Sequence, residues 1–175
     1  MTRPLYLDTE TTGLDPAAGA ELVEVAIIDD DGAVLMNTLV NPGRPIPAAV
    51  TAIHGITDDM VIGAPAADEI RRQVLDLVAG ADVVIYNAPF DMGFFPGILD
   101  VANSVRCCMR RFADEWPGRV WSEEQGGWKR QKLSIAAAHV GHDWAGAEAH
   151  RAVDDVRACR SVWRWLKQQQ ISVCR

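Results

Sequence analysis

The sequence predicts an α/β fold, a mixed sheet with helices packed on its faces. Three observations carry that expectation. Short apolar runs come early and close together, at Leu5–Leu7, Leu22–Ile28 and Val34–Val40. An amphipathic stretch, Ala64–Ala79, precedes a fourth apolar run at Val83–Tyr86. A second amphipathic stretch, Arg151–Lys167, comes late in the chain.

Leu5–Leu7 reads as a short buried strand, with β-favouring Tyr6 inside it, Pro4 before it and Gly13 after it. The second run has Glu21 and Glu24 near its start. The turn Asp29-Asp30-Asp31-Gly32 leads into the third run, and Asp-Gly between apolar runs predicts a hairpin. Three strands so close in sequence imply antiparallel pairing. The connector from Asn41 to Pro47, rich in turn residues, feeds a short helical stretch, Ala48–Ile53, and then His54-Gly55-Ile56-Thr57.

In Ala64–Ala79, Pro65 suits the first helical turn, Asp68 and Glu69 meet the positive helix end, and Gly80 follows the last turn. Ile70, Val74, Leu77 and Val78 form one apolar stripe. Val83–Tyr86 is continuously apolar, as a central strand covered on both faces would be. A helix is expected from about Pro89, a fifth strand at Val105–Met109, and a helix at Leu133–Val140 stopped by Gly141. Between residues 110 and 132, with Trp116, Trp121 and Trp128, no regular pattern emerges.

A length of 175 residues favours one domain, residues 1–175, large enough to bury a real core. No apolar run approaches the length of a membrane span, so no membrane partner is expected. The first strand starts almost at Met1, which leaves no room for a signal peptide. Cys107, Cys108, Cys159 and Cys174 lack metal-ligand spacing and are expected as reduced thiols in a cytoplasmic protein, with Cys159 in the core. The formal net charge of −7 argues against coating nucleic acid through bulk charge. That charge is uneven. Residues 106–132 carry a net +3 and the remainder −10, so a local basic segment could still guide a polyanion.

Four carboxylates stand out. Asp8 and Glu10 follow the first strand two residues apart and so point to one side. Held that close they repel, and each tends to take up a proton unless a cation sits between them. Oxygen ligands of this kind suit Mg²⁺ or Mn²⁺, although Asp-x-Glu also reads as a solvated strand end. Asp91 lies three and four residues before Phe94 and Phe95, a charge on an apolar helix face. It needs a partner if buried, or it is an early-turn Asp open to water. In the last helix the stripe is Ala152, Val156, Cys159, Trp163 and Leu166, with Asp155 on its edge. Asp154 aligns instead with Arg151, Arg157 and Ser161 on a solvated face. His150 precedes this helix and would lie near Asp155.

These segments, in this order, resemble the DEDDh exonucleases, the DnaQ-like family that includes polymerase proofreading subunits, ribonuclease T and oligoribonuclease. The first motif looks like Asp8-Thr-Glu10-Thr-Thr-Gly-Leu14, the second like Asn87-Ala-Pro-Phe90-Asp91, the third like His150-Arg-Ala-Val-Asp-Asp155. Ile53-His54-Gly55-Ile56-Thr57 is similar to a further family hallmark. The resemblance spans residues 5 to about 166. It implies a ribonuclease-H-like fold, a five-stranded mixed sheet with its first three strands antiparallel, flanked by helices. It also implies a metal-dependent 3′–5′ exonuclease acting on single-stranded DNA or RNA 3′ ends and releasing nucleoside 5′-monophosphates. Asp8 would bridge two divalent ions, Glu10 and Asp155 would complete the coordination, and Asp91 would bind one ion. His150 would be the general base. Thr11, Thr12 and Leu14 would touch the terminal nucleotide, with His54, Asn87 and Phe90 as further pocket residues. A homodimer or a polymerase partner would fit by analogy, and a non-catalytic, nuclease-like subunit is the alternative role. Residues 110–132 follow no family pattern and read equally as a substrate loop, an oligomer interface or core packing.

Overall fold

The structure, a computed structural model, describes residues 4–146 and 150–173, the side chains of 170–173 excepted. Strands β1 (Leu5–Thr11), β2 (Leu22–Ile28), β3 (Val34–Leu39), β4 (Asp82–Ile85) and β5 (Ser104–Cys107) form one sheet in the order β3-β2-β1-β4-β5. β1, β2 and β3 pair antiparallel, as the short connections require, while β4 lies parallel to both β1 and β5. The expected ribonuclease-H-like architecture is present.

β1 runs four residues further than its apolar segment. Its pairing with β2 continues from Tyr6–Ile28 to Thr11–Leu22, with an irregularity after Glu10. Its pairing with β4 stops at Leu7–Ile85. Asp8 and Glu10 therefore sit inside a strand that is held on one edge and open on the other. That opening lies at the carboxyl ends of β1 and β4, where open α/β sheets build their ligand crevices.

Helices cover both faces. On one face α3 (Ala67–Val78) lays Ile70, Val74 and Val78 against Leu7, Val25, Ile27, Val83 and Ile85. On the other, α5 (Cys108–Glu115), α6 (Leu133–His139) and α7 (Ala152–Val173) cover Tyr6, Ala26, Ile28 and Val84. The stripe of α7 is buried as expected, from Ala152 through Val156, Cys159 and Trp163 to Leu166. Each large side chain sealed there, Leu166 for instance, contributes about 1.5–3 kcal/mol of apolar burial. Short α1 (Ala48–His54), α2 (Asp58–Val61) and α4 (Ala88–Met92) connect the layers.

Several boundaries differ from expectation. α3 begins at Ala67, because the Pro65 carbonyl is engaged by the Asn41 N–H at 2.9 Å. β5 ends at Cys107, and α5 starts directly after it at Cys108, within the expected strand, and runs into the stretch that showed no pattern. That stretch also holds a small hairpin of β6 (Trp121–Ser122) and β7 (Gly127–Trp128). Cys107, Cys108 and Cys159 are free thiols, the last two buried; Cys174 lies outside the described residues. Among the described residues no helix is long and apolar enough to cross a membrane.

Candidate active site

Alternation along β1 sends Asp8 and Glu10 to the α7 side with Tyr6, and Leu7 and Thr9 to the α3 side. α7 brings Asp155 to the same place. Asp8, Glu10 and Asp155 each offer an oxygen within 4.8 Å of the others, all three partly buried. Asp91 enters from α4 through the gap left by β4. It is 3% exposed, and its Oδ1 accepts a hydrogen bond of 2.8 Å from the Thr9 hydroxyl. A buried Asp91 with a partner, rather than an early-turn Asp open to water, is what the structure contains.

The electrostatics match four carboxylates crowded without a countercharge. Burial, and then the charges of Asp91, Asp155 and Glu10, hold Asp8 well above the usual carboxylate range. Glu10 is pushed up to about 8 by burial and then by Asp155 and Glu24. Burial raises Asp91 to about 7 against the opposing pull of the Thr9 hydroxyl. Asp155 rises to about 6, again chiefly through burial. A compact, all-oxygen set that resists ionisation on its own fits a hard divalent cation.

The turn before α7 is shaped by a residue that sequence reasoning passed over. Glu24, 1% exposed in the middle of β2, accepts from the Arg151 guanidinium at 2.6, 3.1 and 3.2 Å. It also accepts the Ala152 backbone N–H at 2.9 Å. A strand thus supplies the cap of the helix that carries Asp155. Arg151, expected on a solvated face with Asp154, is committed to Glu24 instead; Asp154 does pair with Arg157, at 3.0 Å. The signal was present in the sequence: Glu24 is the one charge in Leu22–Ile28, and a carboxylate in such a strand requires a partner.

His150 sits at φ +77°, a left-handed conformation unusual for a non-glycine residue, and its N–H donates to Asp155 Oδ1 at 3.2 Å. Strain of this kind concentrates at functional sites. His150 lines a cleft of about 160 Å³ together with Asp8, Glu10, Asp91, Asp155, Asn87 and Phe90. This cleft opens into a groove of about 690 Å³ that keeps Asn87, Phe90, His150 and Asp155 on its wall. The groove adds Leu14, 85% exposed, and then Met109, Arg130 and Lys132.

The remaining expected pocket residues divide. Thr11 and Thr12 brace the turn after β1: the Thr11 hydroxyl donates to the Gly13 carbonyl at 2.7 Å, and the Thr12 hydroxyl accepts the Glu21 N–H at 2.9 Å. Neither lines the 160 Å³ cleft, although Thr12 shares a neighbouring hollow with Leu14 and Arg44. His54 is buried at the end of α1, where Nδ1 accepts the Ile56 N–H at 3.0 Å. Its Nε2 is buried without a partner, the only such side-chain atom among the described residues. Burial lowers the His54 pKa; the Thr11 carbonyl and Glu24 pull it upward without giving Nε2 a hydrogen bond.

A sequence model of the exonuclease family, RNase T type, matches residues 5–162. The chain is 40% identical over 162 residues to the uncharacterized exonuclease CP81 of Escherichia phage 186, covering 87% of this chain and 82% of that one. It is 36% identical over 185 aligned positions to DNA polymerase III subunit epsilon of Pasteurella multocida, covering 98% and 71%. Among solved structures it resembles exonuclease X in complex with 5′-overhanging duplex DNA, with a TM-score of 0.71, 25% identity, and coverage of 95% of this chain and 92% of that one. It also resembles E. coli exonuclease I in complex with a dT13 oligonucleotide, with a TM-score of 0.76 over 99% of this chain and 42% of that one; at 20% identity that likeness speaks to the fold alone.

Proposed function

The chain belongs to the exonuclease family, and from that premise we propose that it removes nucleotides from the 3′ end of single-stranded DNA or RNA, releasing nucleoside 5′-monophosphates. The observation that supports this reading is the meeting of Asp8, Glu10, Asp91, Asp155 and His150 around one cleft.

Two divalent cations, Mg²⁺ or Mn²⁺, held by the four carboxylates would stabilise the entering and leaving oxygens of an in-line displacement at phosphorus. The rest falls to the chain. His150 takes a proton from the attacking water as the new P–O bond forms and the P–O3′ bond breaks, the departing 3′ oxygen taking its proton from solvent; an imidazole is the commonest general base in such steps. Phe90 and Leu14 flank the terminal base with apolar surface, which tolerates any base. Thr11 and Thr12 hold the turn that presents Leu14. The amide of Asn87 supplies a polar contact from the cleft wall, whereas His54, buried and lining neither cleft nor groove, supports the Thr11 turn from behind.

The relative named DNA polymerase III subunit epsilon supports a polymerase complex as the setting; sedimentation distinguishes that assembly from a homodimer. The deciding experiment incubates 5′-labelled single-stranded DNA and RNA with the protein in Mg²⁺, Mn²⁺ or chelator. A ladder shortening from the 3′ end only when metal is present is expected. Internal cuts, or no loss of substrate in either metal, would overturn the reading.

A further inference from the structure

We propose that the groove beyond the acidic cleft, together with the β6–β7 hairpin, holds the single strand on the 5′ side of the nucleotide being removed, so that the preferred substrate is several nucleotides long. The inference rests on the reading above. It draws on a segment that the catalytic assignment leaves unused.

Continuity comes first. The cleft and the groove share Tyr86, Asn87, Phe90, Leu133, His150 and Asp155, so a strand whose 3′ end meets the carboxylates has its next nucleotides in the groove. The groove floor is fixed by Tyr86, whose hydroxyl donates to the Gln131 carbonyl at 2.8 Å. That bond sets the Arg130–Lys132 segment as the far wall.

Charge comes second. The protein is acidic, yet this wall is basic. Arg130 and Lys132 line the groove, Arg110 and Arg130 line a neighbouring hollow together with Asp114 and Trp128, and Lys129 follows the last strand of the hairpin directly. None of these four basic residues forms an ion pair with a described residue. Cations left unpaired at such a wall suit a backbone carrying one phosphate per nucleotide.

The hairpin supplies the third element. Lys129 N–H donates to the Val120 carbonyl at 2.8 Å and Arg130 N–H to Gln125 Oε1 at 3.0 Å, which tie the arm to the groove wall. Trp121 and Trp128 meet edge to face at 5.5 Å, and Arg119 caps the Trp128 ring at 4.9 Å. Trp121 stays 52% exposed, an aromatic surface braced by Trp128 on the hairpin. Bases stack on such surfaces without regard to sequence.

The test compares a dT20 strand with the dinucleotide dTpdT, in the wild type, the Arg130→Gln/Lys132→Gln double variant and Trp121→Ala. Both variants should raise KM for dT20 by about tenfold or more, the scale of a lost base stack or of two phosphate contacts. Cleavage of dTpdT, which does not reach the hairpin, should stay within about twofold. The double variant should also flatten the salt dependence of dT20 binding, by about 0.7 per charge removed. Unchanged KM for dT20 in both variants overturns the proposal. So does an equal loss on both substrates, which would place these residues at the cleavage site or in the fold. Conversion of a dimer to a monomer by Trp121→Ala, with KM unchanged, would assign the hairpin to a second copy of the chain. Fluorescence anisotropy of labelled dT20 in chelator reads binding alone. If the wild type cleaves nothing, the nuclease reading fails, and the binding loss in the variants still decides the strand path.

Discussion

Arg151→Ala isolates the tie that holds the late acidic residue to the sheet. Glu24 is buried and receives three contacts from the guanidinium plus the Ala152 N–H. Without Arg151 it keeps one donor and stands beside Asp8, Glu10 and Asp155, all of which feel its charge already. Breaking a buried pair from one side costs about 3–5 kcal/mol, because the remaining charge is left uncompensated. The Arg151 side chain is 41% exposed, so water enters the space it leaves and the loss falls near the lower end, about 3 kcal/mol. For a chain of this length about 2–4 °C of melting temperature goes with each kcal/mol, which gives a drop of roughly 6–12 °C. Thermal unfolding followed by circular dichroism, in chelator at neutral pH, reads this directly. A double Glu24→Leu/Arg151→Leu variant, which removes both charges, should recover much of the loss. If Arg151→Ala melts within about 2 °C of the wild type, on the same scale of degrees per kcal/mol, the pair does not hold Glu24 and the reasoning is wrong.

Three further outcomes follow from the same site. Asp8→Ala should abolish cleavage while circular dichroism shows an intact fold; measurable metal-dependent cleavage by that variant would remove Asp8 from the centre of the reaction. His150→Ala should slow cleavage by roughly 10²–10⁴, the usual contribution of a general base, whereas a wild-type rate would strip His150 of that role. The metal-free protein should lose stability as pH rises. Folded Asp155, Asp91 and Glu10 sit at about 6, about 7 and about 8, above an unfolded value of roughly 4. The folded chain therefore holds more protons between these limits, and this part of its stability is complete below the unfolded value and gone above pH 8. Mn²⁺ should restore more melting temperature at pH 8 than at pH 5.5, and a flat melting temperature in chelator across that range would contradict the crowding of the carboxylates.

Much of this architecture was legible from residue types alone. Apolar runs and turn chemistry gave β2, β3 and their hairpin, because both signals are local in the chain. The stripe of α7 was readable for the same reason, and it correctly put Asp155 rather than Asp154 toward the cleft. What the sequence hid depends on partners far along the chain. β1 continues past Leu7 only because β2 goes on pairing with it, and no apolar residue marks the extension. Arg151 looked like a surface residue since its partner stands 127 positions earlier. The helix Cys108–Glu115 was obscured by its start directly out of β5, with no turn residue between them. Thr11 and Thr12 show the converse case: the motif named them, and their hydroxyls serve the loop that carries Leu14.

The clasp between Glu24 and the first turn of α7 also sets an order of events during synthesis. A ribosome delivers the central strand and its two acids early, and the matching helix emerges more than a hundred residues later. Until then the half-built cleft lacks both Asp155 and His150, so on the proposed reading it would lack a ligand and its base. The cleft is complete only when these two remote parts of the polypeptide meet.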